Sequence, residues 1–121
     1  MIKDFINRYG QLSDSIIKEV NFITLFKDNE EINLIKIKIY CSKIDSDFDY
    51  ETVELHFNDI VSLSFNIDKD FLLFSPSDVL IEYNENDILF EFDPLDYLQY
   101  LKVNPNSSFQ IRSRFFEFKE L

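Results

Sequence analysis

The residues with chemistry to offer gather between Asp45 and Leu101. Asp45-Ser46-Asp47-Phe48-Asp49 opens like a calcium-binding loop. The register then fails. With Asp45 first, Tyr50 stands sixth, where the sharp turn needs Gly, and His56 stands twelfth, where a bidentate Glu is required. The segment reads as an exposed acidic loop and not as a metal site. His56 is the one His in the chain, and Glu54 shares its strand face. Such a pair can shuttle protons, but no Ser or Cys stands in a motif with it, so a surface His on a strand is expected. Carboxylate pairs for glycoside hydrolysis are too easily found among 23 Asp and Glu to single out a site. One Gly in the whole chain leaves no glycine-rich phosphate cradle, and neither an HExxH run nor a dinucleotide fingerprint occurs. The expected activity is binding and not catalysis, with no cofactor and no metal.

Charge carries that expectation further. Residues 45–101 hold fifteen acidic groups against Lys69 alone, a net −14, whereas residues 1–44 sum to +1 and residues 102–121 to +2. An acidic stretch of this weight repels nucleic acid, whose phosphates need Lys and Arg, and anionic membrane surfaces. It favours a basic protein partner and speeds encounter with one. Tyr50, Tyr83, Tyr97 and Tyr100 fall within the same stretch. Tyrosine beside carboxylates suits an interface, because it buries area at small entropic cost and still hydrogen-bonds.

The 121 residues fit one domain, 1–121, and 45% hydrophobic content with fourteen Phe and six Tyr is enough for a sizeable core. Part of the Phe, Ile, Lys, Asn and Tyr excess is what AT-rich codons supply, so it is no ligand signal by itself. The N-terminus lacks an apolar run of signal-peptide length, and no run approaches a membrane span. A cytoplasmic protein is the expectation. Cys41 stands alone, without a disulfide partner, and is expected as a buried structural thiol.

Periodicity supplies the scaffold. Ile2, Phe5, Ile6 and Tyr9 make one stripe of a short N-terminal helix, with Gly10 placed to end it. Ile16, Val20, Phe22 and Phe26 share a parity and suggest a strand; polar residues 27–31 make a hairpin loop. Ile35, Ile37 and Ile39 point one way, with Lys36 and Lys38 pointing the other, toward acidic strands beside them. Val53, Leu55 and Phe57 alternate, and the same parity resumes at Val61, Leu63, Phe65 and Ile67. Asp59 sits at an inward position, where an unpaired carboxylate is costly, so Asn58-Asp59-Ile60 must bend, turn or bulge. Asp68-Lys69-Asp70 reads as a turn and Phe71–Phe74 as a short apolar run. Residues 79–83 and 88–92 form the clearest hairpin, around Asn84-Glu85-Asn86-Asp87. Asp93-Pro94 begins a short helix near 94–101, Asp being a good N-cap and Pro a good first residue, with Leu95, Leu98 and Leu101 as its stripe. Phe109–Phe118 is the last strand. Arg112 and Arg114 share the parity of Phe116 and Phe118, a conflict that implies a bulge or a change of exposure. The whole is α+β, mostly β: a single antiparallel sheet or sandwich of six to seven strands with two short helices.

Two segments carry a resemblance. Phe5-Ile6-Asn7-Arg8-Tyr9 runs into Leu12-Ser13-Asp14-Ser15-Ile16 before a strand. Phe90-Glu91-Phe92-Asp93-Pro94 and Asn104-Pro105-Asn106-Ser107-Ser108-Phe109 precede a final aromatic strand. The chain thereby resembles small bacterial immunity proteins of toxin–immunity pairs, including those of contact-dependent growth inhibition. His commonly stands in that family where Ser13 stands here, so no role passes to that position. The resemblance implies a cognate toxin as partner. A nuclease toxin is basic because it binds phosphate, and an acidic surface would occlude it. The residues expected to do so are Asp45, Asp47, Asp49, Glu51, Glu82, Tyr83, Glu85 and Asp87, in or beside loops where recognition sits. The alternatives are a regulatory or structural binding module, one that could self-associate through an exposed sheet edge, and a hydrolase using clustered carboxylates.

Overall fold

Alternation at Ile35, Ile37 and Ile39 decides the centre of the molecule. These side chains are buried, and across the ladder they face Phe57, Leu55 and Val53, buried as well. In the computed structural model, which describes residues 1–44, 49–66, 76, 78–97 and 100–121, they lie on strands β2 (Glu30–Ser42) and β3 (Tyr50–Phe65). Strand β1 (Ile16–Lys27) joins β2 through Asp28 and Asn29, whose φ values of 53° and 63° make a two-residue turn of the kind that matches strand twist. On the other side β3 pairs with β8 (Phe109–Glu120), which pairs with β5 (Ile88–Glu91), which pairs with β4 (Leu80–Tyr83). The order is β1-β2-β3-β8-β5-β4, antiparallel throughout. The architecture is α+β and mostly β.

Helix α1 (Ile2–Tyr9) lays Phe5 and Tyr9 on this sheet. The Phe5 ring lies 5.1–5.8 Å from those of Tyr9, Phe90, Phe116 and Phe118. Gly10 ends the helix at φ 60° and ψ −129°, a backbone region that residues with side chains avoid. A Cβ there would also meet the Ile44 side chain at 3.2 Å.

Asp59 bends the sheet. Its φ is 55°, and its carboxylate leaves the core to meet Arg114 at 3.4 Å. The chain runs through as one long strand, so of the two arrangements compatible with the sequence it adopts the bent one. Asp59 shifts the inward parity from Phe57 to Ile60, and a bulge between Ile60 and Ser62 shifts it back, pairing Leu63 with Ile111 and Phe65 with Phe109. Opposite this bend β8 changes parity too. Phe109, Ile111 and Ser113 are buried, then Phe116, which resolves the conflict posed by Arg112 and Arg114.

Two expectations need correction. Among the described residues no helix forms near 94–101. Leu95–Tyr97 (β6) and Tyr100–Lys102 (β7) pair as a separate two-stranded sheet. So short a helix is marginal without help, and Asp93 is committed elsewhere: its Oδ2 accepts the Ser108 N–H at 3.0 Å and lies 3.3 Å from Asn104 Nδ2. The rings of Tyr97 and Tyr100 stack at 6.3 Å, with Lys102 over Tyr97 at 5.4 Å. In β1, a register shift between Ile17 and Glu19 breaks the expected parity, so Ile17 is buried in place of Ile16, while Phe22 and Phe26 remain exposed. The turn at 68–70 and the apolar run 71–74 lie outside the described residues.

Candidate partner-binding surface

The β4–β5 hairpin presents the acidic residues most openly. Its turn is closed from within: Asn84 Oδ1 accepts the N–H groups of Asn86 at 2.7 Å and Asp87 at 3.0 Å, and the Asn84 N–H donates to the Asp87 carbonyl at 3.0 Å. A side chain that mimics backbone in this way holds a turn rigid. Glu85 stands exposed at the tip, Glu82 is exposed on β4, and Tyr83 keeps 45% of its surface in solvent. Tyr83, Asn84 and Glu85 wall a recess of about 430 Å3 whose other side is Met1, Ile2 and Lys3, the start of α1. Among the described residues no basic side chain lies within ion-pair distance of Glu82 or Glu85.

The remaining members of the expected set are placed differently. Asp87 is half-buried and accepts a hydrogen bond from Arg112 at 3.0 Å, which ties the hairpin to β8. Glu51 accepts the Tyr9 hydroxyl at 2.6 Å, and Glu120, paired with Arg8 at 2.8 Å, accepts it at 3.1 Å. Burial, with both carboxylates as hydrogen-bond partners, pushes the Tyr9 hydroxyl pKa well above its usual range. Glu51 and Tyr9 thus serve the fold at the far end of α1, about 12 Å of helix away from the recess. Asp49 is exposed near that end. Asp45 and Asp47 lie outside the described residues. The structure therefore brings Glu82, Tyr83, Glu85 and Asp87 together, and it sets Asp49 and Glu51 apart from them.

Glu54, by contrast, is flanked by cations across the strands. Glu54 stands opposite Lys38 on one side and Lys119 on the other, and Glu19 opposite Lys38 extends the row, so four neighbouring strands alternate in sign. His56 stands between Lys36 and Glu117 and bonds the Glu54 carboxylate, which lowers the Glu54 pKa. Glu91 is fully buried. The spacing of Lys36 and Lys38 foretold the first pairing; the basic residues of β8, some 60 positions away, could not be placed without the topology.

An apolar cleft went unanticipated. Where β3 bends away from the β1–β2 hairpin, Phe22, Leu34, Ile60, Val61 and Leu63 line about 350 Å3 of open space, with Phe22 and Phe65 rings 5.1 Å apart. The signal lay in Val20, Phe22, Ile23, Leu25 and Phe26, which put apolar side chains on both faces of one strand.

Among the described residues no group of three or more His, Cys, Asp or Glu is arranged to hold a metal, and no helix is long and apolar enough to cross a membrane. No protein-family model, curated protein or solved structure matches the chain.

Proposed function

We propose that this chain is a non-catalytic binding protein, the immunity partner of a bacterial toxin, and that it neutralises a basic nuclease by covering its active site with the acidic β4–β5 hairpin. One observation carries the reading. An exposed Tyr83 sits on a rigid turn, between carboxylates that have no cation within ion-pair distance among the described residues, beside a recess that can receive a side chain. That combination offers a partly apolar anchor inside a steering field. Glu82 and Glu85 set the encounter rate and Tyr83 the lifetime of the complex.

The test is capture of the cognate protein by the tagged chain at low and then high salt, followed by co-expression. The captured protein should be basic, toxic when expressed alone and harmless beside this chain. E82K/E85K should slow association at low salt at least tenfold, and the difference should shrink as salt rises. Unchanged capture and protection by that variant would overturn the assignment to this hairpin.

A further inference from the structure

Strand β1 forms one border of the sheet and, among the described residues, pairs with β2 alone. A bare border is a template for another strand, and proteins commonly blunt it with proline, short length or dense charge. Here it runs for 12 residues without proline, and Phe22, Leu25 and Phe26 keep 48%, 49% and 79% of their surface exposed.

The phase of this border is fixed by the Asp28-Asn29 turn. A two-residue turn makes its flanking residues, Lys27 and Glu30, a hydrogen-bonded pair. Bonded pairs alternate along an antiparallel ladder. The odd residues from Glu19 to Lys27 therefore spend their backbone groups on β2, and Val20, Phe22, Thr24 and Phe26 turn theirs outward. The regular run is bounded by the register shift at Lys18 and by the turn at Asp28. It spans Glu19–Lys27, and its midpoint is Ile23.

We propose that β1 pairs with β1 of a second copy of this chain, antiparallel, with Ile23 on the two-fold axis, so that the two sheets become continuous. Charge selects the same register as length. With Ile23 opposite its own copy, Glu19 faces Lys27 of the second copy at both ends, Val20 faces Phe26 and Phe22 faces Thr24. A slip of two residues in either direction sets Lys27 against Ile17 or Asn21 and loses both ion pairs. The wider electrostatics agree. Residues 16–42 hold four Lys against four acidic groups, so the hairpin is neutral in a chain of net charge −11. Two copies meeting there bring together the part of the surface that repels least. Self-pairing also leaves the β4–β5 hairpins, at the opposite border of each sheet, free for another partner.

Sedimentation equilibrium of the full chain tests this. A concentration-dependent dimer is expected. K27E should raise its dissociation constant about tenfold, since two symmetric pairs become repulsive, and E19K/K27E should restore it. Ile23→Cys places two thiols at a non-hydrogen-bonded pair, where Cα atoms lie about 4.5 Å apart and a disulfide can close. Mild oxidation should cross-link I23C and leave N21C uncross-linked. A monomer at all concentrations, a double swap weaker than the single one, or equal cross-linking of I23C and N21C would overturn the proposal.

Discussion

Glu91 shows how a carboxylate can be hidden with no cation beside it among the described residues. It has no exposed surface, and four donors converge on it: the N–H groups of Asp93 at 3.0 Å and Asn104 at 3.2 Å, Gln110 Nε2 at 2.6 Å, and the Ser107 hydroxyl. The charge is held by bonds that tie the 93–108 segment to β5 and β8. Bonds to a charged acceptor contribute more than neutral ones, and orphaned buried donors are costly. E91L should lose about 3 kcal/mol or more and E91Q about half as much, read from urea midpoints at constant m; an E91L protein as stable as its parent would remove Glu91 from the framework. Cys41 gives a pH effect of definite sign. Burial first, and the Glu51 charge second, push its thiol up to about 12 from an ordinary 9.0. The folded state holds the proton more tightly than the unfolded state does. Its stabilisation is therefore complete below about pH 9 and is lost as pH rises toward 12, at about 1.4 kcal/mol per unit. C41V should abolish the loss between pH 9 and 10. Tyr9, also raised, governs the range above.

At the scale of elements, Asp59 does what its place in the pattern demanded. An inward carboxylate implied a break in β3, and the break is a left-handed residue that turns the acid out to Arg114. Asp tolerates that conformation better than a branched residue can. D59G should be nearly neutral, whereas D59V should cost about 2 kcal/mol, measured by thermal or chemical unfolding. Helix α1, its terminal Gly10 and both hairpin turns were legible for the same reason: each is fixed by residues within one or two turns of chain. The segment after Asp93 was not. Asp93-Pro94 and the leucine spacing wrote a helix start, but the Asp93 carboxylate is claimed by the Ser108 N–H, fifteen residues on. The register shift in β1 was equally hidden, because the choice between Ile16 and Ile17 is made by the ladder with β2.

For the whole molecule, the charge total was a poor guide to the charge surface. The −14 of residues 45–101 suggested one acidic face, yet Glu54 lies between lysines of two other strands, Asp59 and Asp87 each meet an arginine of β8, and Glu91 is internal. Among the described residues, what stays open includes Asp49, Asp96 and the tip of the β4–β5 hairpin. Its residues could be named from the sequence, because a polar turn between alternating strands must be exposed; the cancellation elsewhere depends on partners far along the chain. The pairing of β3 with β8 sets a timetable as well. Strand β3 ends at Phe65 and β8 begins at Phe109, about 44 residues later. At a synthesis rate of about 5–20 residues per second, β3 leaves the ribosome roughly 2–9 seconds before its partner exists. During that interval Phe57 has β2 beside it, whereas Phe65 lacks its ladder partner Phe109. A chain cut before Phe109 would leave that flank of β3 as an open edge, a template for pairing with other chains.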